Sequence, residues 1–144
     1  MSKPTPREQR RRWYTQALED LHLHLDPEVN PDDPQEGFYK RKLVKNGVFV
    51  PARIWWHCPV DENGDLVGDE TLQCEVDGEY ADPYDQWQWL CSHPVGEAEF
   101  KFLTAQRQWA QKHAPGEPYA DPRKPVDWLN GVPTPTFSTK EAKT

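Results

Sequence analysis

The chain has 144 residues, of which 35% are hydrophobic and 15 are proline, and a formal net charge of −7. That length holds one ordinary domain with room for tails, and the low apolar fraction beside a doubled proline content implies a modest core carrying long irregular segments. No run of about 18 apolar residues is present, which excludes a helical membrane span, and the charged start lacks the apolar stretch that a secretory signal requires.

The charge is segregated. Residues 1–15 carry five bases and one acid, residues 36–56 again five bases and one acid, and residues 57–99 twelve acids with no Lys or Arg. Such a chain can steer a partner by its field or pair its own halves. Three cysteines, an odd number, do not make a secreted disulfide framework. Seven tryptophans are large anchors for a small core or an interface.

In chain order, residues 6–25 predict an amphipathic helix with Trp13, Tyr14, Ala17, Leu18, Leu21 and Leu25 on one stripe. Pro6 suits its first turn, and Pro27 and Pro31 end it. Arg10, Arg11 and Arg12 sit where the helix dipole prefers anions, so they need a partner elsewhere or a later helix start. Residues 26–36, DPEVNPDDPQE, read as a proline-acid linker.

Residues 37–56, GFYKRKLVKNGVFVPARIWW, predict a β-hairpin turning at Asn46-Gly47. A two-residue turn there sets Leu43 opposite Val50 and Tyr39 opposite Ile54. One face then carries Tyr39, Leu43, Val48, Val50, Ala52, Ile54 and Trp56 as core. The other carries Phe38, Lys40, Lys42, Val44, Phe49, Arg53 and Trp55 as an exposed basic and aromatic surface. Residues 59–69 read as a polar loop with a second Asn-Gly. Residues 70–81 alternate as a third strand and a short fourth about Asp77-Gly78. Residues 82–91, DPYDQWQWLC, fit either a helical turn or an irregular aromatic segment. A second helix is predicted over 97–113, with Glu97 and Glu99 in its first turn and Lys112 and His113 in its last. The remainder, with six prolines, reads as an extended tail bearing Trp128, Leu129 and Phe137 as apolar anchors.

The expected architecture is therefore α+β: a small antiparallel sheet, made of the hairpin and one or two further strands, packed against the C-terminal helix. The divisions are an N-terminal helix and linker at 1–36, standing as an appendage or facing a partner, a core at 37–113, and the tail at 114–144.

These residues bear on four chemistries. Cys58, Cys74, Cys91 and His93 supply zinc-type donors, but gaps of sixteen and seventeen residues between the cysteines lack the paired knuckle, and reduced cysteines serving as small hydrophobes fit better. Bases interleaved with aromatics suit phosphate contact and base stacking, yet such a footprint normally rides on a basic domain. No nucleophile elbow, phosphate loop or metalloprotease helix is present, so the reading is non-enzymatic and without cofactor. Twelve clustered acids could mimic a phosphate array; solvated loops explain them more simply.

The hairpin residues Gly37, Phe38, Tyr39, Leu43, Val44, Gly47, Val50, Pro51, Arg53, Ile54 and Trp55 resemble those of a family of small phage and prophage proteins to which no activity is attached. The likeness continues through DGEYADPYDQW and HPVGEAEFKFLTAQRQWAQKHAP to PRKPVDWLN, covering roughly residues 37–137. The cysteines are not part of the shared pattern. The resemblance implies a structural or assembly protein, a virion component; the exposed hairpin face (Phe38, Lys40, Lys42, Phe49, Arg53, Trp55) and the tail anchors Trp128, Leu129 and Phe137 are the expected contacts to other phage proteins or copies of itself. Its location would be the virion or the host cytoplasm. The alternative is an intracellular phage factor, either a nucleic-acid-handling accessory or an acidic inhibitor of a host nucleic-acid-binding protein.

Overall fold

A computed structural model of the chain describes residues 6–126. The elements, in order, are α1 (Pro6–Arg10), α2 (Arg12–His22), β1 (Gly37–Lys42), β2 (Phe49–His57), β3 (Thr71–Val76), β4 (Glu79–Ala81), α3 (Pro83–Leu90), β5 (Pro94–Val95) and α4 (Glu97–His113). The strands form one antiparallel sheet in the order β4-β3-β2-β1-β5. The fold is α+β with a small sheet and a long C-terminal helix.

Alternation along the strands divides their side chains between two faces. Tyr39, Val50, Ala52, Ile54, Cys74 and Val76 point one way and are buried with Tyr14 of α2 and Trp87 and Leu90 of α3. Trp87 is the hub: its ring meets Trp13 edge-on at 5.3 Å and Tyr39 at 5.6 Å. The 82–91 segment is thus helical. Asp82 caps it by accepting from the Tyr84 amide at 2.8 Å, and Pro83 follows at the first turn. At the other end of β3, Asp77 and Gly78 both take positive φ, the pairing that a tight two-residue hairpin needs.

The N-terminal helix is no appendage, because Tyr14 and Ala17 belong to the buried core. The hydroxyl of Tyr14 donates to the Val95 carbonyl, and its ring lies against the α-carbon of Gly37. The dipole conflict of the arginines resolves locally. The helix breaks at Arg11, Arg10 pairs with Glu70, and Arg11 pairs with Glu36 at 3.5 Å. The helix ends at His22, so Leu25 falls beyond the stripe and is 54% exposed. Three aromatic donors strap the linker to the core. Trp13 donates to Glu28, Trp87 to Asn30 and Tyr39 to Gln35, all at backbone carbonyls.

The hairpin register differs from the expected one by two residues: Tyr39 faces Ala52 and Arg41 faces Val50. The connection is a six-residue loop, 43–48, rather than a two-residue turn. Residues far along the chain hold it open. The Val126 amide donates to Asn46 at 2.8 Å, and the Pro122 carbonyl packs against Gly47. Because the slip is even, the side chains within the strands keep their expected faces, whereas Leu43, Val44 and Val48, expected on strand faces, fall in the loop. Residues 114–126, expected as tail, turn back onto the domain and bury Val126.

Candidate functional site

The basic and aromatic face does not lie open as expected. Helix α4 crosses it over β1 and β2. Phe100 meets Phe38 at 4.7 Å between centroids, and Lys40 pairs with Glu99 at 3.0 Å while its ammonium lies 4.7 Å from the Phe49 ring. Phe49 also faces His93 at 5.4 Å. Lys42 stays exposed beside Phe49. The physical reason is that α4 has apolar side chains to bury and the core face is already filled by α2 and α3. Lys40, opposite its acidic first turn, therefore neutralises one of the chain's own acids. Trp128, Leu129 and Phe137 lie outside the described residues.

Helix α4 leaves the β3–β4 side of this face uncovered. Cross-strand pairing aligns Phe38, Arg53, Glu75 and Tyr80 in one row over four strands, with Trp55 and Gln73 in the next. The Arg53 guanidinium lies 4.2 Å over the Trp55 ring and bonds Glu75 at 3.3 Å. Trp55 meets Tyr80 at 6.1 Å, and Tyr80 is 77% exposed. A flat patch of two rings and a stacked guanidinium is rich in the residue types that anchor protein interfaces. Arg53 is balanced by Glu75, so the patch carries no excess positive charge for a phosphate backbone.

Beyond the end of β2, the chain makes a small hairpin. Val60 bridges Leu66, the Asp61 carboxylate accepts from the amides of Asn63 and Asp65, and Gly64 takes a positive φ. This shape presents Val60, Leu66 and Val67 at 56%, 58% and 61% exposure, among Asp61, Glu62, Asp65 and Asp69. The sequence reading passed over Tyr80 and these aliphatics. The alternation that placed Cys74 inside puts Tyr80 outside, and the second Asn-Gly had Val60 and Leu66 flanking it as a hairpin signal.

Cys58, Cys74, Cys91 and His93 are not gathered into one cluster. Among the described residues no group of three or more His, Cys, Asp or Glu is arranged to hold a metal ion. Cys74 is in the core, where burial pushes its thiol up to about 12. Cys91 sits at the end of α3, its thiol also raised by burial, and Cys58 lies beside Arg10. Burial, then Lys40 and Lys42, lowers the pKa of His93.

No helix among the described residues is long and apolar enough to cross a membrane. Comparison with models of known protein families, with characterised proteins and with solved structures finds no match for this chain.

Proposed function

We propose that the protein is a non-enzymatic structural component that assembles by contact with a second copy of itself, within a phage particle as the hairpin resemblance implies. The observation that carries this reading is a pair of complementary surfaces on one chain. The open Arg53–Trp55–Tyr80 patch is aromatic, with the Arg53 guanidinium stacked on Trp55 and paired with Glu75, and the neighbouring 59–67 hairpin is aliphatic and acidic. Single exposed apolar residues need no partner, but three on a loop held in shape by its own hydrogen bonds form a pre-organised knob. Asp61, Asp65 and Asp69 around the knob would share the Arg53 guanidinium with Glu75, and charge of opposite sign sets the orientation of such a contact. Patch and knob adjoin along β2, so a twofold axis lets two copies satisfy both contacts at once.

The test replaces Tyr80 with a photo-reactive phenylalanine analogue and maps the cross-link by mass spectrometry. A link to residues 59–67 of a second copy supports the reading. A link confined to the same chain, or none, removes it. Binding of an oligonucleotide that Arg53→Ala abolishes would replace it with the nucleic-acid alternative. Mass spectrometry of purified particles tests the virion assignment separately, and a stoichiometric band is the expected result.

A further inference from the structure

A second feature, at the opposite end of β2 from the knob, has a different chemistry. The ends of β1 and β3, the start of β4, helix α3, the middle of α4 and the 121–123 turn enclose a cleft of about 360 Å³. That is within the range of small-ligand sites, about 300–1,000 Å³. Three guanidiniums line it. Arg107 is committed: it holds Asp77 through Nε at 3.0 Å and Nη2 at 3.1 Å, and also donates to the Ala120 carbonyl. Arg41 and Arg123 form no ion pair among the described residues. Arg41 is nonetheless held in place. It lies 4.2 Å over the Trp89 ring, donates from Nη1 to Gln86 Oε1 at 2.7 Å, and from Nε to the Lys42 carbonyl at 3.2 Å.

Burial first, then the proximity of Arg123, lowers the pKa of Arg41. Of the carboxylates that line the cleft, Asp77 pairs with Arg107, while Asp121, which accepts from the Arg123 backbone amide at 3.3 Å, and Glu79 on the edge strand form no ion pair among the described residues. In a chain with an excess of seven acids, an arginine positioned by a ring and an amide with no carboxylate partner among the described residues is unexpected. Guanidinium groups match the oxygens of a phosphate group, and Arg41 and Arg123, neither ion-paired among the described residues, bring two positive charges to match its double charge.

We propose that this cleft binds a phosphate monoester between Arg41 and Arg123, with Trp89 and Tyr80 as the aromatic wall beside it. Trp89 is 44% exposed and Tyr80 77% exposed, so the remainder of a nucleotide-sized ligand has a surface to lie against. The site is independent of the self-contact proposed above. Only Tyr80 borders both, and Arg41 and Arg123 belong to neither the patch nor the knob.

The experiment follows tryptophan indole signals by NMR while inorganic phosphate, adenosine monophosphate or adenosine is titrated into the full chain at constant ionic strength. Saturable binding of phosphate and of adenosine monophosphate is expected. Arg123→Ala, on an exposed turn, should weaken both at least about tenfold, the loss of one charge-assisted contact. Arg41→Lys keeps the charge but not the fork and should also weaken them, whereas Arg53→Ala should change nothing. Equal affinity for the two anions would identify the phosphoryl group alone as the ligand. Tighter adenosine monophosphate would bring in the aromatic wall. Absence of saturable binding, binding unchanged in Arg123→Ala, or adenosine bound as tightly as its monophosphate would overturn the proposal.

Discussion

Gly37→Ala sets local preference against tertiary packing, with opposite signs. Glycine in a strand interior is worse than alanine by about 0.5–1 kcal/mol, so local structure predicts stabilisation. The structure predicts the reverse. A β-carbon at Gly37 would lie 2.7 Å from Cγ and 2.8 Å from Cε1 of the Tyr14 ring, inside any real carbon–carbon contact. Tyr14 is 5% exposed and cannot swing outward without losing its bond to the Val95 carbonyl and its packing against Tyr39. Overpacking of this kind costs about 1–3 kcal/mol, and the hydrogen bond about 1 kcal/mol more. Subtracting the local gain leaves a net destabilisation of about 1–3 kcal/mol. Urea unfolding followed by tryptophan fluorescence reads the change as a lower midpoint at unaltered slope. In a Tyr14→Leu background the penalty should largely vanish. A midpoint that stays or rises on Gly37→Ala alone would refute the docking of α2 against β1.

Two further predictions concern the interior. Burial raises the pKa of the Cys74 thiol to about 12, and also pushes up the Cys91 thiol and the phenolic hydroxyls of Tyr14 and Tyr39. The folded state therefore holds these protons after the unfolded chain has released them, so their contribution is complete below about pH 9 and drains as pH rises toward 12. Urea midpoints should fall between neutral pH and about pH 10.5, and Cys74 should resist a thiol reagent that labels Cys58 in the folded protein. A flat profile, or equal labelling of the two, would contradict its burial. Arg107→Ala should cost about 2 kcal/mol, because it strands the half-buried Asp77 carboxylate and the Ala120 carbonyl. Adding Asp77→Asn should recover part of that loss, and a loss undiminished in the double variant would place the effect outside the ion pair.

The fold was legible where local chemistry and long-range packing agree. The α4 boundaries follow from acids at one end, bases at the other and Gly96 ahead of them, and they match to the residue. The Asp77-Gly78 turn and the inward set Leu72, Cys74 and Val76 were likewise readable from alternation. The hairpin register was not, because Asn46-Gly47 as a dipeptide asks for a two-residue turn while contacts from residues 122 and 126 hold a wider loop. Strand β5 was also missed: two residues, Pro94 and Val95, leave no periodicity to detect. For the candidate site, the residue types were right and their surroundings were not. Phe38, Lys40 and Phe49 belong to a face that α4 covers, and no pattern within the hairpin can show which face a helix forty residues later will choose. Arg53 and Trp55 stay accessible only because β3 and β4 widen the sheet beyond the reach of that helix.

Sedimentation velocity over a wide concentration range, on the wild-type chain and on Tyr80→Ser and Leu66→Ser, tests the self-contact most directly. Both substituted side chains are exposed, so neither variant should unfold the domain. The expected result is a monomer–dimer equilibrium in the wild type that each variant shifts to monomer and that salt weakens. A wild type that stays monomeric at every concentration, or a dimer indifferent to both substitutions, would contradict it.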